Sequence, residues 1–304
     1  MKLPKTTLPP GEAPTPLGGK ILASTPVIMT VVATLLAGLA NSEMTRAQYD
    51  RSMAAQLQSK VGDQWSFFQA KKLRGATLRA NLESLYATSD AGPLQSADLK
   101  RFTDVPEAAL TALTRGELPA QPEPVRPPEK ILHALTLSEE GGPEVELVKA
   151  LRELRPTEVD AAIQVWQEAS RAQDASLAPI NSAIDKTERA LQLAAGEKRD
   201  GARQTLRDFT AARFRLDAAR YDSEARFNRA IASLSELKVR LSNLSAERHH
   251  KRSQRFFFGM LAAQLAVILA TLGMAVKRRN LMWSFAAGIG LLAVSFGVYV
   301  YLWL

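Results

Sequence analysis

The sequence contains no cysteine and only three histidines, and charged residues are missing from three long stretches. Without cysteine the chain forms neither disulfide bonds nor thiolate metal sites, and cysteine usage leaves the redox compartment open. The chain also lacks a Walker loop, a complete glycine fingerprint for dinucleotides, a serine elbow and a zinc-binding helix. These absences predict a protein that is not an enzyme, with no cofactor, no metal site and no identifiable small-molecule substrate.

The three uncharged stretches are residues 21–40, 256–276 and 281–304. A helix needs about 20 apolar residues to cross the hydrocarbon core of a membrane, so we predict a transmembrane helix for each. The residues from Lys277 to Asn280 leave room only for a tight turn. A cleavable signal peptide, with Gly38 and Ala40 before the cleavage site, is the alternative for the first stretch. Its apolar run exceeds the usual core of about 7–15 residues, which favours an uncleaved anchor.

The formal net charge of +8 is confined to segments next to these stretches. Residues 1–20 contribute +2, residues 277–280 contribute +3 and residues 247–255 contribute +3, so that residues 41–246 are neutral. A nucleic-acid-binding domain needs a basic face of its own, which this distribution does not provide. Basic residues beside a membrane attract anionic lipid. We therefore predict that four residues contact lipid headgroups: Arg248, Lys251, Arg252 and Arg255.

The remaining segments differ mainly in proline content. We predict a disordered tail over residues 1–20, a helix continuing from the membrane over 41–87, and a proline-rich insertion with short helices over 88–156. Long helices or a coiled coil follow over 157–255. Thr157 is expected to be the N-cap of the first of them, and Pro179 is expected to end or kink it near Leu177.

Apolar residues recur every seven positions between Leu206 and Leu244, which predicts a coiled coil or helical hairpin with residues 41–87 as the obvious partner. The expected contact residues are Trp65, Phe68, Phe227, Leu234, Leu237, Leu241 and Leu244. Within the membrane, small residues let helices approach closely. Those expected at helix interfaces are Gly259, Ala263, Ala266, Ala270, Gly290 and Gly297. The polar Gln264 is expected to face another helix, and His249 and His250 are interpreted as a polar pair at headgroup level.

The segment DQWSFFQAKKL, residues 63–73, resembles a tryptophan–glutamine–lysine motif of a bacterial membrane family, domain of unknown function 4337. The resemblance continues in the basic segment 247–255 and the hairpin after it, and covers residues 21–85 and 220–304. Phe67 and Phe68 stand where tyrosines are usual, and residues 88–156 look like an insertion. The resemblance implies an architecture and no activity.

Together these patterns predict an all-α protein with three transmembrane helices, a long extramembrane helical hairpin and a proline-rich insertion. The most plausible function is a membrane-anchored coiled-coil scaffold or accessory subunit of a membrane complex, as a homo-oligomer in contact with anionic lipid. The alternatives are an oligomeric pore or transporter component and an envelope sensor. Lysines and arginines near the span ends number six on each side. The basic hairpin turn and Lys20 favour a bacterial inner-membrane protein with residues 41–255 in the periplasm. The basic segment 247–255 favours the opposite orientation.

Overall fold

The structure, a computed structural model, describes residues 17–120, 123–275 and 279–303. These residues form α-helices and no β-strand, which confirms the predicted all-α class. The helices are α1 (Leu17–Thr88), α2 (Ser96–Lys100), α3 (Glu107–Arg115), α4 (Glu129–Glu139), α5 (Glu144–Glu153), α6 (Pro156–Gly196), α7 (Ala202–Ala275) and α8 (Arg279–Trp303). Residues 17–20 of the predicted tail belong to α1. Residues 1–16, residues 276–278 of the predicted hairpin turn and Leu304 lie outside the described residues.

Three of the described helices contain an apolar stretch long enough to cross a membrane, as predicted: α1, α7 and α8. Helix α1 begins at Leu17, so Pro26 lies inside it rather than in its first two turns. A proline inside a helix lacks the N–H that would bond to the preceding turn. The carbonyl of Pro26 accepts an additional hydrogen bond from Oγ1 of Thr30 at 2.8 Å. Gly38 and Ala40, the candidate cleavage residues, lie within the same uninterrupted helix.

Residue contacts divide the chain into two units. The first, which we call the span unit, comprises residues 1–52 and 243–304 and contains the apolar stretches. The second, the hairpin unit, comprises residues 53–242. Each has a hydrophobic core of its own.

The core of the span unit is built from residues spaced by three and four positions on each helix. This spacing, with a repeat of seven, keeps the same face of a helix against its neighbour. On α1 it buries Met29, Ala33, Leu36 and Ala40, on α7 Phe256, Ala263 and Ala266, and on α8 Ala293 and Val300. Most of these side chains are small, which brings the helix backbones close together.

Helices α6 and α7 of the hairpin unit are antiparallel and are joined through residues 197–201. Gly201 has φ of 76° and Lys198 has φ of 56°, the left-handed conformation that commonly follows the end of a helix. Helix α6 continues past Pro179 to Gly196, so the expectation that it ends near Leu177 is wrong. Leu177 and Ile180, on either side of the proline, are both buried in the core, and this packing favours the uninterrupted helix.

The start of α6 also differs from the prediction. The N-cap is Arg155, and Thr157 lies within the first turn because Pro156 takes the first helical position. A carboxylate oxygen of Glu158 accepts a hydrogen bond from the backbone N–H of Arg155 at 3.1 Å. The other accepts one from Nζ of Lys130 at 2.6 Å, which fastens α4 to α6. Both bonds lower the pKa of the Glu158 carboxyl, and the bond from Lys130 has the larger effect.

The short helices α2 and α3 do not form a core alone. Leu99, Leu110 and Leu113 pack against Leu177 of α6 and Phe209 of α7 in one hydrophobic cluster. Gly116 is the C-cap of helix α3 and has φ of 68°. Glycine suits this position because a residue with a side chain would be strained at that φ. The first part of the predicted insertion is therefore integrated into the hairpin unit.

Candidate functional site

The alanines predicted at helix interfaces are buried inside the span unit. Ala263, Ala266 and Ala270 of α7 each have 0% exposed surface. Gly259 of α7 is also buried, and a Cβ added there would lie 3.4 Å from Cδ1 of Leu36 on α1. This face of α7 therefore packs within the same chain.

The glycines of α8 lie against the large residues of α1. A Cβ added at Gly290 would lie 2.8 Å from Sδ of Met29, and one at Gly297 would lie 2.7 Å from Cδ2 of Leu36. Both distances are shorter than ordinary contact, so each glycine makes room for one side chain of α1. Gly288 has no atom within 4 Å of such a Cβ, which shows that close approach is confined to one face of α8.

Gln264 does not follow the prediction within one chain. Its side chain is exposed on α7, on the face opposite the buried alanines. Leu261 and Ile268, one turn away on either side, are 43% and 55% exposed. The described helices of the same chain therefore do not cover Gln264, and the expectation that it faces another helix stays a prediction for an assembly of chains.

The four residues predicted to contact headgroups have different surroundings. Arg248 is exposed and Arg255 partly buried, and neither forms an ion pair with any described residue. Lys251 pairs with Glu247, one helical turn earlier. Arg252 is directed into the protein, where it donates a hydrogen bond to the backbone carbonyl of Tyr301 at 3.2 Å.

Arg252 belongs to a buried polar cluster centred on Glu43 of α1. Nη1 of Arg252 lies 3.8 Å from Oε1 of Glu43, and Nη1 of Arg46 lies 3.6 Å from the same oxygen. Nδ1 of His249 lies 2.6 Å from Oε2 of Glu43. Only 8% of Glu43 is exposed, so these contacts compensate for the removal of its carboxylate from water.

Sequence reasoning did not identify Glu43, although a signal for it exists. Glu43 continues the seven-residue spacing of Met29 and Leu36, both buried on the same face of α1. The seven-residue spacing was applied only to α7. Along α1 the same spacing predicts a carboxylate at a core position. Ser253 of α7 strengthens the contact nearby, because its buried hydroxyl donates to the carbonyl of Ala40 at 2.7 Å.

The two adjacent histidines point in different directions. His249 contacts Glu43, whereas Nε2 of His250 lies 3.1 Å from Nε2 of Gln254. Neighbouring positions on a helix are separated by about 100°, which accounts for the divergence. No group of three potential metal ligands occurs among the described residues.

In the hairpin unit, the residues predicted at the seam lie mainly in its interior. Leu234 and Leu237 are 1% and 0% exposed, and Phe227 and Leu241 are also buried. Phe227 makes an edge-to-face contact with Trp166 of α6 at 5.9 Å between ring centroids. Leu244, which falls in the span unit, is only partly buried. Helix α6, which the sequence reasoning did not name as a partner, thus covers part of this seam.

The predicted contact face of α1 also packs against α7. Val61 is 2% exposed and clusters with Val239, and Trp65 packs beside them. Phe68 lies edge-on to Trp65 with 5.6 Å between ring centroids, and both are partly buried. Lys72 lies at the margin of this face, where its ammonium is 3.5 Å from a carboxylate oxygen of Asp222.

The middle of this seam is polar and rich in ion pairs. Lys71 of α1 pairs with Glu224 of α7, and Arg220 reaches the same carboxylate at 3.5 Å. Asp174 of α6 lies in this field, and partial desolvation, followed by the charge of Glu224, raises the pKa of its carboxyl. Arg213 lies nearer the turn between α6 and α7. Desolvation lowers the pKa of its guanidinium, but the negative charges of Glu188 and other carboxylates raise it by more, so the pKa is raised overall.

Comparison with known families gives a match over part of the chain. Residues 19–114 match a family model described as Domain of unknown function (DUF4337). This segment is similar to that domain family. The matched range contains the motif at residues 63–73, which confirms the predicted resemblance there, and it extends to residue 114 within the predicted insertion. Neither the curated proteins nor the solved structures gave a match. The family description names no activity.

Proposed function

We propose that the protein is a non-enzymatic, membrane-anchored helical scaffold or an accessory subunit of a membrane complex. The close packing of the three apolar helices carries this proposal. Met29 and Leu36 of α1 occupy the space left by Gly290 and Gly297 of α8. An interior filled by side chains suits an anchor better than a conduit.

The assembly proposed for this scaffold is a homo-oligomer formed in the membrane through the exposed face of α7. Gln264 is the reason, because a carboxamide facing lipid lacks hydrogen-bond partners that a second copy would provide. Leu261 and Ile268 would pack around it. Native mass spectrometry of the protein released from mild detergent should give multiples of the 33.2 kDa chain.

Replacing Gln264 with leucine should shift those masses toward the monomer, whereas Thr271→Val should not. The hydroxyl of Thr271 already bonds to the carbonyl of Val267 within its own helix, at 2.7 Å. Monomer masses for the unaltered chain would contradict the proposed assembly.

Anionic lipid is the second proposed partner. Arg248 and Arg255 lie beside the apolar stretch of α7 and form no ion pair among the described residues. Each basic residue near an anionic surface contributes about 1 kcal/mol to the attraction. Changing both to glutamine should reduce the phosphatidylglycerol that stays bound in native mass spectrometry. Arg207→Gln, an exposed arginine of the hairpin unit, serves as the control, and equal retention in both variants would refute the contact.

The proposed location is the bacterial inner membrane, with residues 41–255 in the periplasm. The support comes from the three consecutive positive residues Lys277, Arg278 and Arg279 and from Lys20, which favour a cytoplasmic side for that segment of the sequence. Alkaline phosphatase fused after Leu304 should then be active in cells. An inactive fusion there, with activity when the enzyme is inserted at Arg279, would establish the opposite orientation.

An oligomeric pore is the second candidate, and it is also favoured by Gln264. If the exposed faces of several copies surrounded a lumen, this side chain would line it. A flux assay on liposomes that contain the purified protein separates the two candidates. The scaffold predicts no ion flux above that of empty liposomes, and sustained flux that Gln264→Leu abolishes would support the pore.

A further inference from the structure

A cavity of about 520 Å³ opens in the hairpin unit between the proline-rich segment and helices α6 and α7. Trp166 and Phe227 form an aromatic wall, and Leu118, Pro119 and Leu132 add apolar surface. Sites for small molecules usually have volumes of about 300–1,000 Å³ and apolar linings with a few polar groups. The cavity therefore has the size and the apolar character of such a site.

One hydrogen-bond donor in the wall has no acceptor among the described residues. Nε1 of Trp166 is shielded from solvent and unpaired. The other polar pair at the wall is satisfied, because the hydroxyl of Ser223 donates to Oε1 of Gln173 at 2.9 Å. Because Nε1 is shielded from the cavity as well as from bulk solvent, Trp166 contributes only the apolar part of its ring to the wall.

The charges around the cavity favour a ligand that carries a negative charge. Arg126 and Arg226 both line it and neither forms an ion pair with a described residue, while Glu123 is the one acidic residue among the described residues of the lining. Arg226 also lines two adjoining cavities, so its side chain borders three cavities. Arg229, which borders those adjoining cavities, differs because it is paired with Glu139 at 3.2 Å.

We propose that this cavity binds a small molecule with an apolar body and a single carboxylate. The apolar body packs on Trp166 and Phe227. The carboxylate pairs with the guanidinium of Arg226. This inference rests on the hairpin unit alone and is independent of the proposed scaffold function.

Equilibrium dialysis of the full chain in lipid nanodiscs tests the proposal, with empty nanodiscs measuring partition into lipid. The probes are naphthalene-2-carboxylate, octanoate and the neutral naphthalene-2-carboxamide. At least one carboxylate should bind saturably, and the carboxamide should bind more weakly. Arg226→Gln should weaken carboxylate binding by about tenfold or more, as expected for loss of a charged hydrogen bond. Trp166→Phe, which keeps an aromatic wall, should leave carboxylate binding nearly unchanged, whereas Trp166→Ala removes half of that wall and should weaken it.

Two variants serve as controls. Arg207→Gln removes an exposed arginine of the same helix outside the cavity and should leave binding unchanged. Glu123→Gln removes the opposing negative charge and should leave binding unchanged or make it tighter. The proposal is overturned if neither carboxylate binds above empty nanodiscs, if the carboxamide binds as well as the acid, or if Arg226→Gln behaves like Arg207→Gln.

Discussion

The span unit and the hairpin unit use the same spacing of buried residues with side chains that differ in size. In the span unit most buried side chains are small, such as those of Ala263 and Ala293, while leucines such as Leu265 and Leu292 are 46% and 69% exposed. In the hairpin unit, Leu234, Leu237 and Phe209 fill the interior. Lipid is as apolar as leucine and gives no hydrophobic drive to bury it, so close backbone approach takes over in the span unit. In water, burial of large apolar surface provides the stability.

The polar residues of the two units show a similar contrast. The hairpin unit spreads its charges over several pairs, among them Lys71–Glu224 and Arg213–Glu188. The span unit gathers them on one buried carboxylate, Glu43, with His249 and Arg252 around it. Loss of one pair should therefore matter little in the hairpin unit, and loss of Glu43 should matter more in the span unit.

The largest effect is expected from charges placed in the hairpin core. Changing Leu234 and Leu237 to lysine removes two buried leucines and buries two ammonium groups. The combined cost should exceed about 5 kcal/mol, which is comparable to the stability of a whole domain. Circular dichroism should show loss of cooperative unfolding.

The matched control changes Leu73 and Leu193 to lysine. Both are 70% exposed, and the double variant should melt like the parent. Similar melting of the two lysine pairs would mean that the Phe227–Leu244 seam is not a core.

A smaller effect is expected from a large residue in the span unit. Gly297→Ile forces a side chain against Leu36 and should cost about 1–3 kcal/mol through overpacking. Gly288→Ile adds the same volume where nothing lies within 4 Å and should be nearly neutral. Thermal unfolding in detergent compares them, and equal melting temperatures would show that α8 does not approach α1 as described.

Removal of the buried carboxylate ranks next. Glu43→Gln leaves Arg252 and His249 without their anionic partner and should cost about 1–3 kcal/mol. Glu236→Gln breaks the more exposed pair with Arg240, one helical turn away, and should cost less than about 0.5 kcal/mol. The idea of a buried ionic centre is refuted if the two variants lose the same stability in thermal unfolding.

The smallest effect is expected at Asp174. Its raised pKa means that folding favours the protonated acid, so its contribution to stability is complete below the unfolded pKa and is lost as pH rises through the folded pKa. Asp174→Asn should therefore stabilise the protein slightly at pH 7, and solvent screening keeps the effect small because Asp174 is exposed. The difference should disappear near pH 3, below the ordinary pKa of aspartate of about 3.9. If the variant is less stable than the parent at pH 7, folding does not disfavour the charged form of Asp174.

The fold class and the three spans were predictable because they depend on the length and composition of segments. The seam residues Leu234 and Leu237 followed from a spacing of seven. The continuation of α6 through Pro179 was not predictable, since local preference disfavours it and burial of Leu177 and Ile180 outweighs that preference. Arg155 as N-cap was missed because Thr157 is the better capping side chain, while Pro156 fixed the first helical position.

The candidate sites were harder to predict. Glu43 was missed because two of its three partners, His249 and Arg252, are distant in the sequence, and only Arg46 lies nearby on α1. The cavity beside Trp166 joins three separate segments of the chain, and no local pattern signals it. Prediction succeeded where neighbouring residues decide the structure and failed where residues distant in sequence decide it.

The most direct test of the membrane anchor uses the absence of native cysteine. Single cysteines at Val31, Ile268 and Leu292, which are 55%, 55% and 69% exposed in the chain, are compared with cysteines at Leu73 and Leu193, both 70% exposed. All five are accessible in the single chain, and Val31 and Leu292 lie outside the interface proposed at Gln264, so only a bilayer can protect these two. In membranes opened by lysis, where both faces are accessible, a water-soluble maleimide should label Leu73→Cys and Leu193→Cys and leave the other three unmodified until detergent is added. Equal labelling of all five before detergent would contradict the anchor.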